Sequence, residues 1–133
     1  MGYYNDVKAC IVGPETEMRV HLVAFRVQNT EAKESFDQFN FAVADNQMQI
    51  TTSYEDTKWN PEFLEIKAFY TLWNYFCYGE FEYVSGAFAR IGENDDDVET
   101  IFFGKEPYDL VSVRRTIEME YKFDDKLCGV IPL

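Results

Sequence analysis

The apolar period of this chain changes twice from about 2 residues to about 3.6, each time beside a proline, which restricts it to a mixed α and β architecture. In "DVKACIV", Val7, Ala9 and Ile11 alternate with Lys8 and Cys10 and run into Gly13-Pro14, as a strand does when it meets a breaker. Pro14 suits the first helical position, Glu15 and Glu17 suit the positive end of a helix dipole, and Met18, Leu22 and Phe25 follow at helical spacing. A helix is expected over 14–27. The second change comes at Trp59-Asn60-Pro61, where Asn60 is a good N-cap, Pro61 fits the first turn and Trp59 is placed to pack on Leu64. A helix from Pro61 to about Cys77 then carries Phe63, Ile66, Phe69 or Tyr70, Trp73 and Phe76 as its apolar stripe.

Between the two helices, "FNFAVA" and "QMQITTSYE" read as strands joined at Asp45-Asn46 in a hairpin. After Gly79, "EFEYVSGAFARIG" resumes strand alternation, with Glu82, Phe88 and Arg90 opposed to Phe81, Tyr83, Ala87 and Ala89, and a bend or bulge expected at Gly86. "VETIFFG" pairs back through an acidic turn. "DLVSVRRTIEMEYKF" reads as one long last strand, with Val111, Val113, Ile117, Met119 and Tyr121 on the face of Arg115. The order matches a ferredoxin-like split βαβ arrangement, βαββαβ with an additional C-terminal β-hairpin, in which two helices cover one face of an antiparallel sheet. No linker or repeat divides the chain, so residues 1–133 are expected to form a single domain. The other face of the sheet is expected to be solvated and to show Glu82, Arg90, Arg114, Glu118 and Glu120.

Charge narrows the possible partners. With 24 Asp and Glu against 12 Lys and Arg, the net charge of -12 repels free nucleic acid, and the solvated face lacks the basic and aromatic signature of RNA-recognition domains. No membrane partner is expected, since no apolar run approaches the length of a membrane span. "MGYYNDVKAC" has neither a basic flank nor an apolar signal segment, so a cytoplasmic location is expected. Cys10, Cys77 and Cys128 form no CxxC pair and read as small apolar residues rather than disulfide or zinc partners.

The densest charge lies in "RIGENDDDVET", where Glu93, Asp95, Asp96, Asp97 and Glu99 fall within seven positions. Measured from Asp95 it begins like a calcium loop, but Thr100 stands where the sharp turn needs Gly, and "TIFF" reads as strand. No metal or cofactor is expected. The only histidine, His21, lies at the edge of a helix stripe, and no phosphate loop, nucleophile elbow or zinc motif is present, so no enzymatic activity is expected. Arg115, on an otherwise apolar face, is expected to pair with an internal acid; anion binding with Arg114 and exposure at a sheet end are the alternatives.

"GYYNDVKACIVGP", the helix bearing "HLVAFR", "ARIGENDDDVE" and "VSVRRTIEMEY" together resemble a group of small acidic bacteriophage-encoded proteins. The resemblance implies a context of host inhibition, including anti-CRISPR proteins and DNA mimics, in the host cytoplasm. The leading expectation is a non-enzymatic binding protein that presents Glu93, Asp95, Asp96, Asp97, Glu99, Glu82, Glu118 and Glu120 to a basic surface on a nucleic-acid-handling host protein. The alternatives are an accessory or structural phage protein acting through homo-oligomerisation, a homodimer among the options, and a small enzyme with a dispersed site.

Overall fold

In the computed structural model, which describes residues 4–94, 96–104, 111–113 and 117–119, the alternating first segment becomes β1, Tyr4–Pro14. Its Val7, Ala9 and Ile11 are fully buried on one face and Cys10 on the other, as befits a central strand. Helix α1, Glu15–Gln28, follows without a linker. Pro14 does not open the helix as expected: its ψ of 137° is extended, so it ends the strand and stands at the cap position. The stripe of Met18, Leu22 and Phe25 is buried as the spacing predicts.

A short helix absent from the sequence reading, α2, spans Ala32–Phe36 and buries only Ala32 and Ser35. The expected hairpin follows as β2, Asn40–Ala44, and β3, Gln47–Lys58. Asp45 and Asn46 turn it with φ of 53° and 64°, the paired left-handed conformation that matches strand twist and that these two residue types tolerate.

Helix α3, Leu64–Tyr78, begins one turn later than expected. Asn60 does cap a turn, since its Oδ1 accepts from the Glu62 amide at 2.9 Å. That turn is isolated, however, because Phe63 has an extended ψ of 139°. The expected contact of Trp59 with Leu64 is replaced: Leu64 is 68% exposed, and the indole packs on Phe69 and Tyr70, donating from Nε1 to the Tyr70 hydroxyl at 3.0 Å.

Strand β4, Ser85–Ile91, is shorter than the alternation suggested, because Glu80 and Tyr83 take φ of 53° and 67° and hold the chain in a turn. Glu82 therefore lies in that exposed turn and not on the sheet. Gly86 makes no bulge: β4 passes through it in unbroken register between β1 and β5, Val98–Phe103. A Cβ at Gly86 would overlap the ring of Phe103, so close approach is what requires glycine. The irregularity lies instead between Asn5 and Val7, where β3 has Asp56 at φ 47°.

The sheet is antiparallel with five strands in the order β2-β3-β1-β4-β5, which is not the order of a standard ferredoxin-like fold. The expected long last strand is two short ones: β6, Val111–Val113, and β7, Ile117–Met119, which pair antiparallel with each other. Glu118 is opposite Ser112 in this pair; Arg114, Arg115, Glu120 and Tyr121 lie outside the described residues.

Helices α1 and α3 cover one sheet face, where Met18, Leu22, Phe25, Phe69, Leu72, Trp73 and Phe76 meet β-strand residues including Ile11, Met48, Ile50 and Phe88. The opposite face is not the acidic surface expected. Cys10, Val12, Ala87 and Ala89 form a buried apolar cluster there with Ile91 and Phe102, and the β6 and β7 pair lies close to β1 and β4. Arg90 belongs to the row of Phe88 on the helix-covered side, because the small alanines fill the alternate positions. No described helix is long and apolar enough to cross a membrane.

Candidate functional site

The acidic segment joins β4 to β5 as the pattern predicts, in a turn rich in the residue types that tolerate tight backbone. The Gly92 amide donates to the Asp97 carbonyl at 2.7 Å, the Asp97 amide to Asn94 at 3.0 Å, and the Val98 amide to Asp96 at 3.1 Å. The carboxylates do not form a uniform display. Arg90, opposite Glu99 in the ladder, donates from Nη1 and Nη2 to the two oxygens of Asp97 at 3.3 and 3.1 Å, from Nε to Glu99 at 3.3 Å, and from Nη1 to Asn5 Oδ1 at 2.7 Å. Burial works against its charge, but the bonds from Asp97 and Glu99 outweigh it and hold Arg90 above its ordinary pKa. Asp97 and Glu99 are thus partly neutralised within the fold. Glu93 accepts the Tyr4 amide at 2.9 Å through one oxygen, Asp96 is exposed, and Asp95 lies outside the described residues.

Sheet pairing adds acids that the local pattern could not reveal. Tyr4, Asp6, Asp56, Ile91, Gly92 and Glu93 line an open groove of about 470 Å³ beside the turn. Asp6 Oδ1 accepts the Asp56 amide at 3.0 Å, which ties together residues 50 apart in sequence. The proximity comes from strand register: β1 on β3 brings Tyr4 opposite Lys58, and β1 on β4 brings Asp6 opposite Ile91, two residues before Glu93. Glu82 is not among the groove residues.

His21 and the two described cysteines sit in different surroundings. His21 stacks on Phe81 with ring centroids 3.8 Å apart and meets Phe76 edge-on; burial lowers its pKa while Glu17 pulls it the other way. Cys10 sits on the opposite sheet face with its thiol pushed up to about 12 by burial, offset in part by the amide of Gln49. Burial also raises the Cys77 thiol. A raised thiol pKa disfavours the reactive thiolate, and the sheet separates Cys10 from His21. Among the described residues no group of His, Cys, Asp and Glu is arranged to hold a metal. A second cleft of about 340 Å³ lies between the end of α1, α2 and α3, lined by polar residues including Asn29, Glu34, Lys67 and Thr71. No protein-family profile, curated protein or solved structure matches the chain.

Proposed function

We propose that this is a non-enzymatic acidic binding protein that engages a basic protein surface through the end of the sheet at the β4–β5 turn. The observation that carries the reading is the gathering of Asp6, Asp56 and Glu93 around one open groove beside exposed Asp96. A rigid backbone fixes these charges, since Asp6 and Glu93 each hold a main-chain amide, and a preorganised array steers a cationic surface more effectively than mobile side chains. The proposal includes a phage-encoded inhibitor of a host nucleic-acid-handling protein, with the acids standing in for phosphates. It also reads β2-β3-β1-β4 with α1 and α3 as a split βαβ unit to which β5 is appended, a reading supported by the antiparallel strand order.

A pull-down from host cells, followed by salt titration of the purified pair, tests the function. Affinity should fall steeply with salt and drop at least tenfold when Asp6, Asp56 and Asp96 become Asn and Glu93 becomes Gln. A partner held equally by that variant at low salt would overturn the reading. Homo-oligomerisation is the second reading, favoured by Val20, Val23 and Val27, which are 61%, 51% and 82% exposed on one face of α1. Light scattering at high salt, where charge repulsion is screened, would reveal it.

A further inference from the structure

We propose that the outer edge of β2 pairs with the same edge of a second copy of this chain, joining two sheets antiparallel across a two-fold axis. This goes beyond the acidic-surface reading, since β2 contributes no residue to that groove. β2 begins the strand order, and among the described residues it pairs with β3 alone. The two-residue turn at Asp45-Asn46 sets the phase of the ladder. Such a hairpin is closed by a hydrogen-bonded pair, so Ala44, Ala42 and Asn40 exchange bonds with Gln47, Gln49 and Thr51. Phe41 and Val43 therefore turn their amides and carbonyls outward. Among the described residues nothing bonds to those outward groups, and the chain is described on both sides of the strand.

The outward groups fit their own two-fold copy. When Phe41 faces Val43 of the second copy and Val43 faces Phe41, both outward residues of both chains are bonded, and Ala42 meets its equivalent on the axis. That central pair is the non-bonded kind, in which side chains stand closest, and alanine is small enough for it. On the core face, a phenyl ring opposite a valine is an aromatic and β-branched pair, a favourable type in sheets. The pair extends an existing apolar row, because Phe41 already meets Phe36 with ring centroids 6.0 Å apart and Val43 packs on the same core. Ala42 and Val43 are only half-buried in the single chain, which leaves apolar surface for the second copy to cover.

Charge points to the same occupant. In a chain carrying -12, the strand Asn40–Ala44 holds no charged residue. Lysine, proline and bulges, the usual devices that blunt an edge, are all missing from it, and its register on β3 is unbroken. A charged peptide gains no cross-strand ion pair here, whereas the match of Phe41 with Val43 suits a second copy. The nearest charges in sequence, Asp37 and Asp45, lie outside the strand. Salt screens their repulsion, so this association strengthens as salt rises while the acidic interface weakens.

The test follows the full chain by sedimentation in raised salt and by cross-linking. A small interface of this kind should give a dimer at high micromolar rather than nanomolar protein. Ala42→Asp, which places like charges directly opposite on the axis, should weaken it at least tenfold. With Cys77 and Cys128 changed to Ser, Ala42→Cys should form a disulfide dimer on mild oxidation, since non-bonded pairs have Cα atoms about 4.5 Å apart. Asn40→Cys should not, because its equivalents stand about 13 Å apart in this register. Equal cross-linking of both cysteines, or a chain that stays monomeric throughout, would overturn the pairing. A dimer untouched by Ala42→Asp but lost in Val23→Asp would place the contact on α1 and overturn it as well, and none of these results bears on the acidic groove. The cysteine comparison does not depend on how well the aspartate variants fold.

Discussion

Arg90 grips Asp97 through both carboxylate oxygens, and Gly92 leaves the space in which that carboxylate lies. A Cβ on Gly92 would overlap the Asp97 carboxyl group. Gly92→Ala should therefore lower stability by about 1–3 kcal/mol, as overpacking does. In an Asp97→Ala background, where the obstacle is gone, the same change should cost much less. Paired urea denaturation curves of the four proteins measure the difference.

Asp96 and Asp97 are neighbours with opposite roles. Asp97→Asn removes one partner of a guanidinium whose side chain is only 19% exposed, and should cost about 1 kcal/mol, since bonds to charged groups exceed neutral ones but remain screened here. Asp96→Asn should stay within about 0.5 kcal/mol of the parent. Denaturation midpoints that move equally would show that the turn does not distinguish its two acids.

Gly86→Ala tests the other close approach. The new methyl would meet the Phe103 ring in a central strand paired on both sides, and a loss of about 1–3 kcal/mol is expected. Phe103→Leu in the same chain should recover part of it. An unchanged melting temperature for Gly86→Ala alone would mean that the ring moves aside freely.

The elements that could be read from sequence are those whose signal is local. Asp45-Asn46 gave away its hairpin because both residues tolerate positive φ, and Met18, Leu22 and Phe25 marked one face of α1. β4 was harder. Both its faces are buried, Phe88 under the helices and Ala87 and Ala89 on the other side, so alternation does not separate inside from outside and gives Arg90 the wrong face. α2 buries too few residues to leave a period, and Phe63 breaks the helix start that Asn60-Pro61 advertises. For the site, the acidic turn was legible as a run of charge, whereas Asp6 and Asp56 come beside it only through strand pairing.

Alkaline pH should weaken the fold. Burial raises the Cys10 thiol from 9.0 to about 12 and the Tyr54 hydroxyl from 10.0 to about 12, so above pH 9 the unfolded chain gives up protons that the folded chain keeps. Fewer bound protons in the unfolded state means that stability falls as pH rises, beginning near 9 and continuing to about 12. Cys10→Ala should flatten this decline, which urea midpoints across the range would register.

Trp59→Phe keeps an edge-on ring contact with Phe69 and deletes the bond from Nε1 to the Tyr70 hydroxyl. A loss of about 1 kcal/mol is expected, with Asn60→Ala costing no more than about 0.5 kcal/mol because that residue serves an exposed turn. The relative order of the two midpoints decides whether indole or cap anchors the entry to α3.

The tip of the β2–β3 hairpin also reaches the start of α1, where the Glu15 amide donates to the Asn46 carbonyl at 2.8 Å. That amide belongs to the first turn of a helix, which has no partner of its own within the helix. Opening the hairpin thus unfastens the helix end, and fraying the helix loosens the turn. The two segments, distant in sequence, should exchange their protected hydrogens as one cooperative unit and respond together to any strain placed on either.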